Sequence, residues 1–140
     1  MTELGHFDVV AAGSTPQSMT LLAPHGKPIT NPGPDGKPVP VEIPVYGFDN
    51  DRVIMAGREF DTEYAKNGHQ LHEQDYNRHR RAHIAAAAVA SWPDLSINGE
   101  ALTPLNAARI MSQRSFSWIA DQILIFGGNR GNYFRAVPKE

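Results

Sequence analysis

Residues 84–102 read IAAAAVASWPDLSINGEAL, and the reading of this stretch decides the fold. Alanine has the highest helix propensity, so the run Ala85-Ala86-Ala87-Ala88 predicts the end of a helix against which a neighbouring element can lie close. Pro93 stops that helix, because proline lacks the N–H and its ring clashes with the preceding turn. Further on, Asn98-Gly99 is the signature of a tight two-residue turn with both residues at positive φ, which makes Ile97 to Leu102 a small hairpin.

Working upstream, the same helix is expected to run from about Leu71 to Ser91, polar at its start. Asn67-Gly68 is the stop of an earlier helix, Arg52 to Lys66, for which Asp49-Asn50-Asp51 offers N-caps. Downstream, Thr103 followed by Pro104 is an N-cap with proline at the first helical position, opening a short helix to about Gln113. Ser115 can cap a last helix from Phe116 to Phe126, where Phe116, Ile119, Ala120, Ile123 and Phe126 recur at helical spacing and Gly127-Gly128 supplies the exit. Asn129 to Glu140 reads as irregular, with Tyr133 and Phe134 as anchors.

Before residue 49 proline and glycine dominate, and turns replace helices. Met19 to Leu22 and Val39 to Tyr46 read as strands, with Val39, Val41, Ile43 and Val45 on one face at period two. Pro40 and Pro44 cannot donate to a ladder, which predicts an edge strand or half of an exposed hairpin. Pro24 to Pro38 is expected as a mobile loop and residues 1–17 as an arm. The predicted fold is therefore α+β: an N-terminal arm and β-hairpin with a Pro/Gly-rich loop over residues 1–48, then a mainly helical domain of about four helices over residues 49–140.

Composition narrows the function classes. Hydrophobic residues are 41% and charged residues 20% of the 140, ordinary for a globular protein with a buried core. Thirteen Lys and Arg against 15 Asp and Glu give a charge of −2, so any attraction to nucleic acid or anionic lipid needs a local patch. The absence of cysteine removes disulfides, thiolate chemistry and Cys-type zinc sites. With no apolar run near ~20 residues and no secretory signal, a soluble cytoplasmic protein is expected.

Four histidines offer the sharpest chemistry. His72, His79 and His83 share one face of the predicted 71–91 helix, with His69 just before it, and His79 and His83 at i, i+4 could reach one metal ion. The H-E-x-x-H pattern is absent and Arg78, Arg80 and Arg81 crowd the site with cations, so the expectation is a solvated polar face and no metal. The same arginines could touch phosphates, but the net negative charge and lack of interleaved aromatics favour helix solvation. No serine sits in a nucleophile elbow, and no phosphate-binding glycine loop precedes a helix. No enzyme activity and no cofactor are therefore expected. The remaining content is aromatic: Trp92 is expected to fix a junction between two helices, while Phe116, Trp118 and Phe126, with Val41 and Ile43 of the strand, are the candidate partner-binding residues.

The order of elements resembles the tail assembly chaperones of long-tailed bacteriophages and related prophages. The resemblance is carried by Gly36-Lys37-Pro38-Val39, the strand to Tyr46, Gly47-Phe48-Asp49, the alanine run to Trp92, Leu95, Asn98-Gly99-Glu100, Leu102-Thr103-Pro104, Asn106-Ala107 and Asn132-Tyr133-Phe134. It implies a non-catalytic protein of the host bacterial cytoplasm that binds the tape-measure protein and tail-tube subunits during assembly, with self-association left open and no nucleic acid or membrane among its partners. Two alternatives belong to other classes. One is a minor tail or head-completion protein retained in the virion, and the other is a small nucleic-acid-binding regulator using the Arg78 to Arg81 patch.

Overall fold

Asp8 starts the first helix. Its carboxylate accepts from the N–H groups of Val10 and Ala11 at 3.0 and 3.1 Å, capping α1 (Val9–Gly13) after a 3₁₀ turn at Gly5–Phe7. The computed structural model describes residues 2–66 and 71–134. The predicted arm is thus largely ordered: the Gly13 carbonyl accepts from the Gly47 N–H at 3.1 Å, and the rings of Phe7 and Phe134 lie 6.2 Å apart. Gly13 and Gly47 permit this approach, since a Cβ on Gly47 would fall 2.8 Å from the Gly13 Cα.

Four short strands follow: β1 (Gln17–Thr20), β2 (Thr30–Pro32), β3 (Pro38–Pro40) and β4 (Glu42–Val45). β1 pairs antiparallel with β4 (Met19 opposite Ile43), and β2 pairs with β3 (Asn31 opposite Val39). The expected mobile loop is instead a structured excursion, and the expected single strand from Val39 to Tyr46 is split at Val41. Both corrections have one cause, a closed cycle of backbone bonds. Leu21 N–H donates to the Val41 carbonyl (3.0 Å), Val41 N–H to Ile29 (2.8 Å) and Ile29 N–H to Leu21 (2.9 Å). Three β-arms meet at this junction. The turns of two of them hold Gly26 (φ 93°) and Gly36 (φ 79°), where the conformation favours glycine.

The helical part contains α2 (Asp51–Lys66), α3 (Glu73–Ala88), α4 (Ala107–Met111) and α5 (Ser117–Gly128), with a hairpin of β5 (Ser96–Ile97) and β6 (Glu100–Ala101) between α3 and α4. The fold is α+β, with the β-arms ahead of α2–α5. Asn50 caps α2, its Oδ1 accepting from Arg52 N–H at 2.8 Å. Asn98 (φ 52°) and Gly99 (φ 82°) make the tight turn read from the sequence. α4 begins at Ala107, later than Pro104, because Asn106 Oδ1 accepts from Thr103 N–H (2.8 Å) and holds 104–106 as a turn. α3 stops at Ala88, short of Ser91, because Val89 turns extended and bridges Val45. In that bridge Tyr46 N–H donates to Ala88 (2.8 Å) and the Pro44 carbonyl accepts from Ala90 (2.9 Å). Pro44 supplies only its carbonyl, so its missing N–H costs nothing, and β4 is covered on both edges instead of lying at one.

One hydrophobic cluster joins both halves. It holds Met19, Leu21, Val41, Ile43 and Val45 from the strands, Ala82, Ala85 and Ala88 from α3, Ile110 and Met111 from α4, and Ile119 and Ile123 from α5. The passage at residues 48/49 is where β4 gives way to α2, and the core is continuous across it. Trp92 packs half-buried on this cluster just past α3, with its indole Nε1 buried and without an acceptor among the described residues. No helix among the described residues is long and apolar enough to cross a membrane.

Candidate apolar groove

α5 begins at Ser117, and its first turn carries two large side chains the core does not fully absorb. Ile119 and Ala120 turn inward and are buried, whereas Phe116 and Trp118 just before them are half-buried. Trp118 cannot share the inward direction of Ile119, because consecutive helical residues diverge by about 100°, and Phe116 is the non-helical residue that precedes the helix. Phe116 and Trp118 instead form one wall of an open groove of about 350 Å³. The opposite walls are Leu21 and Ile29 from the three-arm junction and Leu95, Ile97 and Leu102 around the β5–β6 hairpin. Asn31 ties these walls together, its Nδ2 donating to the Asp94 carbonyl at 2.7 Å. Among the described residues no acidic, basic or histidine side chain lines the groove, and what they offer there is shape and apolar surface.

Of the predicted contact residues, the structure brings Phe116 and Trp118 to this groove and sends the others elsewhere. Phe126 lies at the far end of α5 against Tyr133, with ring centroids 6.0 Å apart. Val41 and Ile43 are core side chains at 4% and 0% exposure and offer no surface. Sequence reasoning placed them outside because prolines at alternate positions suggested an open edge, and it could not see Val89 covering β4. Leu21, Ile29, Leu95 and Ile97 were missed as groove residues because they come from segments too short to show a period.

The histidine and arginine positions resolve into structure. His72 occupies the N-cap position of α3 without a side-chain cap bond, His83 packs 5.8 Å from the Phe60 ring, and His69 lies outside the described residues. Among the described residues no group of three His, Cys, Asp or Glu is placed to hold a metal. Each arginine of the basic run has an internal acceptor. Arg78 Nε donates to the Ser112 carbonyl at the end of α4 (2.6 Å) and pairs with Asp75 (2.9 Å), and Arg81 reaches Asp121 on α5 (2.6 Å). Arg80 forms a two-pronged pair with Asp61 on α2 (3.0 and 3.2 Å), and the Tyr76 hydroxyl donates to the same carboxylate. The bonds from Arg80 and Tyr76 hold the Asp61 carboxyl below the ordinary range. Thus α3 uses its cations to grip α2, α4 and α5.

Comparison with protein-family models, with curated proteins and with solved structures returned no match.

Proposed function

We propose that this chain is a non-catalytic assembly chaperone of the long-tailed phage type, active in the bacterial cytoplasm, which receives bulky apolar side chains of tape-measure or tail-tube subunits in the Phe116–Trp118 groove. The carrying observation is the groove itself: aromatic and aliphatic walls at the edge of the core left open to solvent. Its volume lies at the small end of the ~300–1,000 Å³ usual for ligand pockets, which suits one or two anchoring side chains. Aromatic anchors in such depressions carry a disproportionate share of binding energy. The identity of the partners comes from the sequence resemblance, and the geometry supports the kind of contact, an apolar anchor held reversibly. The commitment of Arg78, Arg80 and Arg81 to internal acceptors argues against the nucleic-acid reading, which required that patch to be free.

Titration against tape-measure and tail-tube proteins from the same genome tests the proposal. Trp118→Ala should weaken binding of the true partner by about tenfold or more, with the fold retained. Equal binding by both forms would remove the groove from the account, and stoichiometric presence of the chain in purified particles would make it a virion component instead.

A further inference from the structure

β1 leaves one of its two edges unpaired. The Val45–Val89 bridge uses Pro44 and Tyr46, so the backbone groups of Ile43 and Val45 point the other way, to β1. Their register partners are Met19 and Gln17, which leaves the N–H and C=O groups of Ser18 and Thr20 facing outward with no backbone or side-chain partner among the described residues. The next outward unit on that edge, Leu22, is already satisfied: its N–H donates to Gln122 Oε1 (2.9 Å) and its carbonyl accepts from Gln122 Nε2 (2.7 Å). One carboxamide from α5 thus stands in for a strand partner at Leu22, and nothing does so at Ser18 and Thr20.

The other strands of the β-arms are guarded. β2 and β3 carry Pro32, Pro38 and Pro40, and β4 is closed by Val89. The β1 edge has no proline or lysine and no bulge. It is also flanked by apolar surface, because Trp118, Gln122 and Ile125 recur at i, i+4 and i+7 along the side of α5 that Gln122 holds against the edge. Ile125 on that side is 74% exposed and Leu22 is 37% exposed.

We infer that this edge pairs with the same edge of a second copy of the chain. Ser18 and Thr20 are two apart and both face outward, so an antiparallel pairing with the two-fold axis at Met19 sets Ser18 opposite Thr20 of the second copy and Thr20 opposite its Ser18. All the outward N–H and C=O groups of the two residues are then satisfied at once. The edge is self-complementary, as an isologous two-fold contact requires. The sheets continue through the seam with both α5 helices on the same face, and the exposed sides of those helices, with Ile125, meet over it. A foreign strand would satisfy the same backbone groups, but it would not account for matching apolar surface on the helix beside the edge. The inference rests on the β1 edge and Ile125 and not on the reading of the groove, with which it shares only Trp118.

Sedimentation of the full chain over a range of concentrations tests it, together with hydrogen exchange of the Ser18 and Thr20 amides. A species of twice the 15.4 kDa chain mass is expected, with both amides slowing in exchange as concentration rises. Ser18→Pro deletes a donor that the single chain does not use, and Ile125→Glu places a charge in the helix contact. Each should return the protein to one chain mass while its circular dichroism is kept, and Thr20 exchange should become fast in both. Wild-type protein that stays at one chain mass with fast Ser18 and Thr20 exchange would overturn the inference. So would a dimer that survives both substitutions. A variant that failed to fold would leave the wild-type exchange result to decide.

Discussion

The α3–α5 seam and the groove at the start of α5 share a helix but are built from opposite material. In the seam, Ala82, Ala85 and Ala88 of α3 are fully buried, while Arg81–Asp121 ties α3 to α5 and Arg78, bonded to the Ser112 carbonyl, ties α3 to the end of α4 beside it. In the groove, Phe116, Trp118, Leu95 and Ile97 are large, half-covered and free of ionic partners. Small residues with charged ties make a joint with one geometry. Large apolar residues with an open side make a surface that gains by being covered. The stiffness of the first holds the walls of the second in place, and substitutions should separate the two.

Within the seam, the largest effect is expected where it has least room. Ala85→Leu adds volume between helices that are already in contact, and overpacking of this kind costs about 1–3 kcal/mol. Thermal unfolding should show the drop, and an Ala85→Gly variant should also lose about 1 kcal/mol through helix propensity alone. A seam that tolerated leucine without loss would be looser than its full burial indicates.

Next comes the buried hydroxyl of Tyr133, which donates to the Val45 carbonyl at 2.8 Å and ties the C-terminal 3₁₀ turn (Arg130–Tyr133) to β4. Tyr133→Phe should cost about 1 kcal/mol, the usual net value of such a bond. Burial pushes the Tyr133 pKa well above its ordinary value of 10.0. The folded form therefore holds its proton where the unfolded chain loses it, so this contribution is complete below pH ~10 and declines as pH rises further. Alkaline melts of wild type should fall more steeply than those of Tyr133→Phe.

Smaller still are the ion pairs around the helices. Arg130 lowers the Asp49 pKa through a two-pronged bond (2.8 Å for each prong), and Arg80 with Tyr76 lowers that of Asp61. With folded pKa values depressed, the stability these carboxylates confer is complete above their unfolded pKa near 4 and is lost as pH falls through the folded values. Asp61 is nearly half exposed, so Asp61→Asn should cost no more than about 1 kcal/mol at neutral pH. Acid titration of the two forms by circular dichroism should show the difference shrinking below pH ~4.

These contrasts also mark what the sequence disclosed. The Asn98-Gly99 turn, the Asn50 cap, the extent of α2 and the inward helical spacing of Ile119, Ala120 and Ile123 are local properties, fixed by residues within a turn or two of one another, and they were legible. The Leu21–Ile29–Val41 cycle was not, because its bonds join residues far apart in sequence through strands of three or four residues. The turn residues at Gly26 and Gly36 were recognised as turns, but turn chemistry alone does not say whether the flanking chain pairs. The arginine run was legible as charge and illegible as structure, since Asp61, Ser112 and Asp121 lie on three other elements. For the same reason the groove was half visible: its aromatic wall lies within one turn of sequence, and its aliphatic walls arrive from two distant segments.

The sharpest separation of groove from seam comes from the substitution with the smallest expected effect on stability. Trp118 is half-buried and lines an open groove, so Trp118→Ala removes surface that solvent already partly reaches and leaves no closed cavity. Its cost to folding should fall below that of Ala85→Leu, although far more atoms are deleted. Ile119, the next residue, is buried in the core, and Ile119→Ala should cost about 2–5 kcal/mol. Denaturant melts of the two alanine variants therefore compare adjacent positions on one helix, one buried in the core at the floor of the groove and one standing half-exposed in its wall. If Trp118→Ala proved as damaging as Ile119→Ala, Trp118 would belong to the core, and the groove would lose the side chain that gives it an anchoring role.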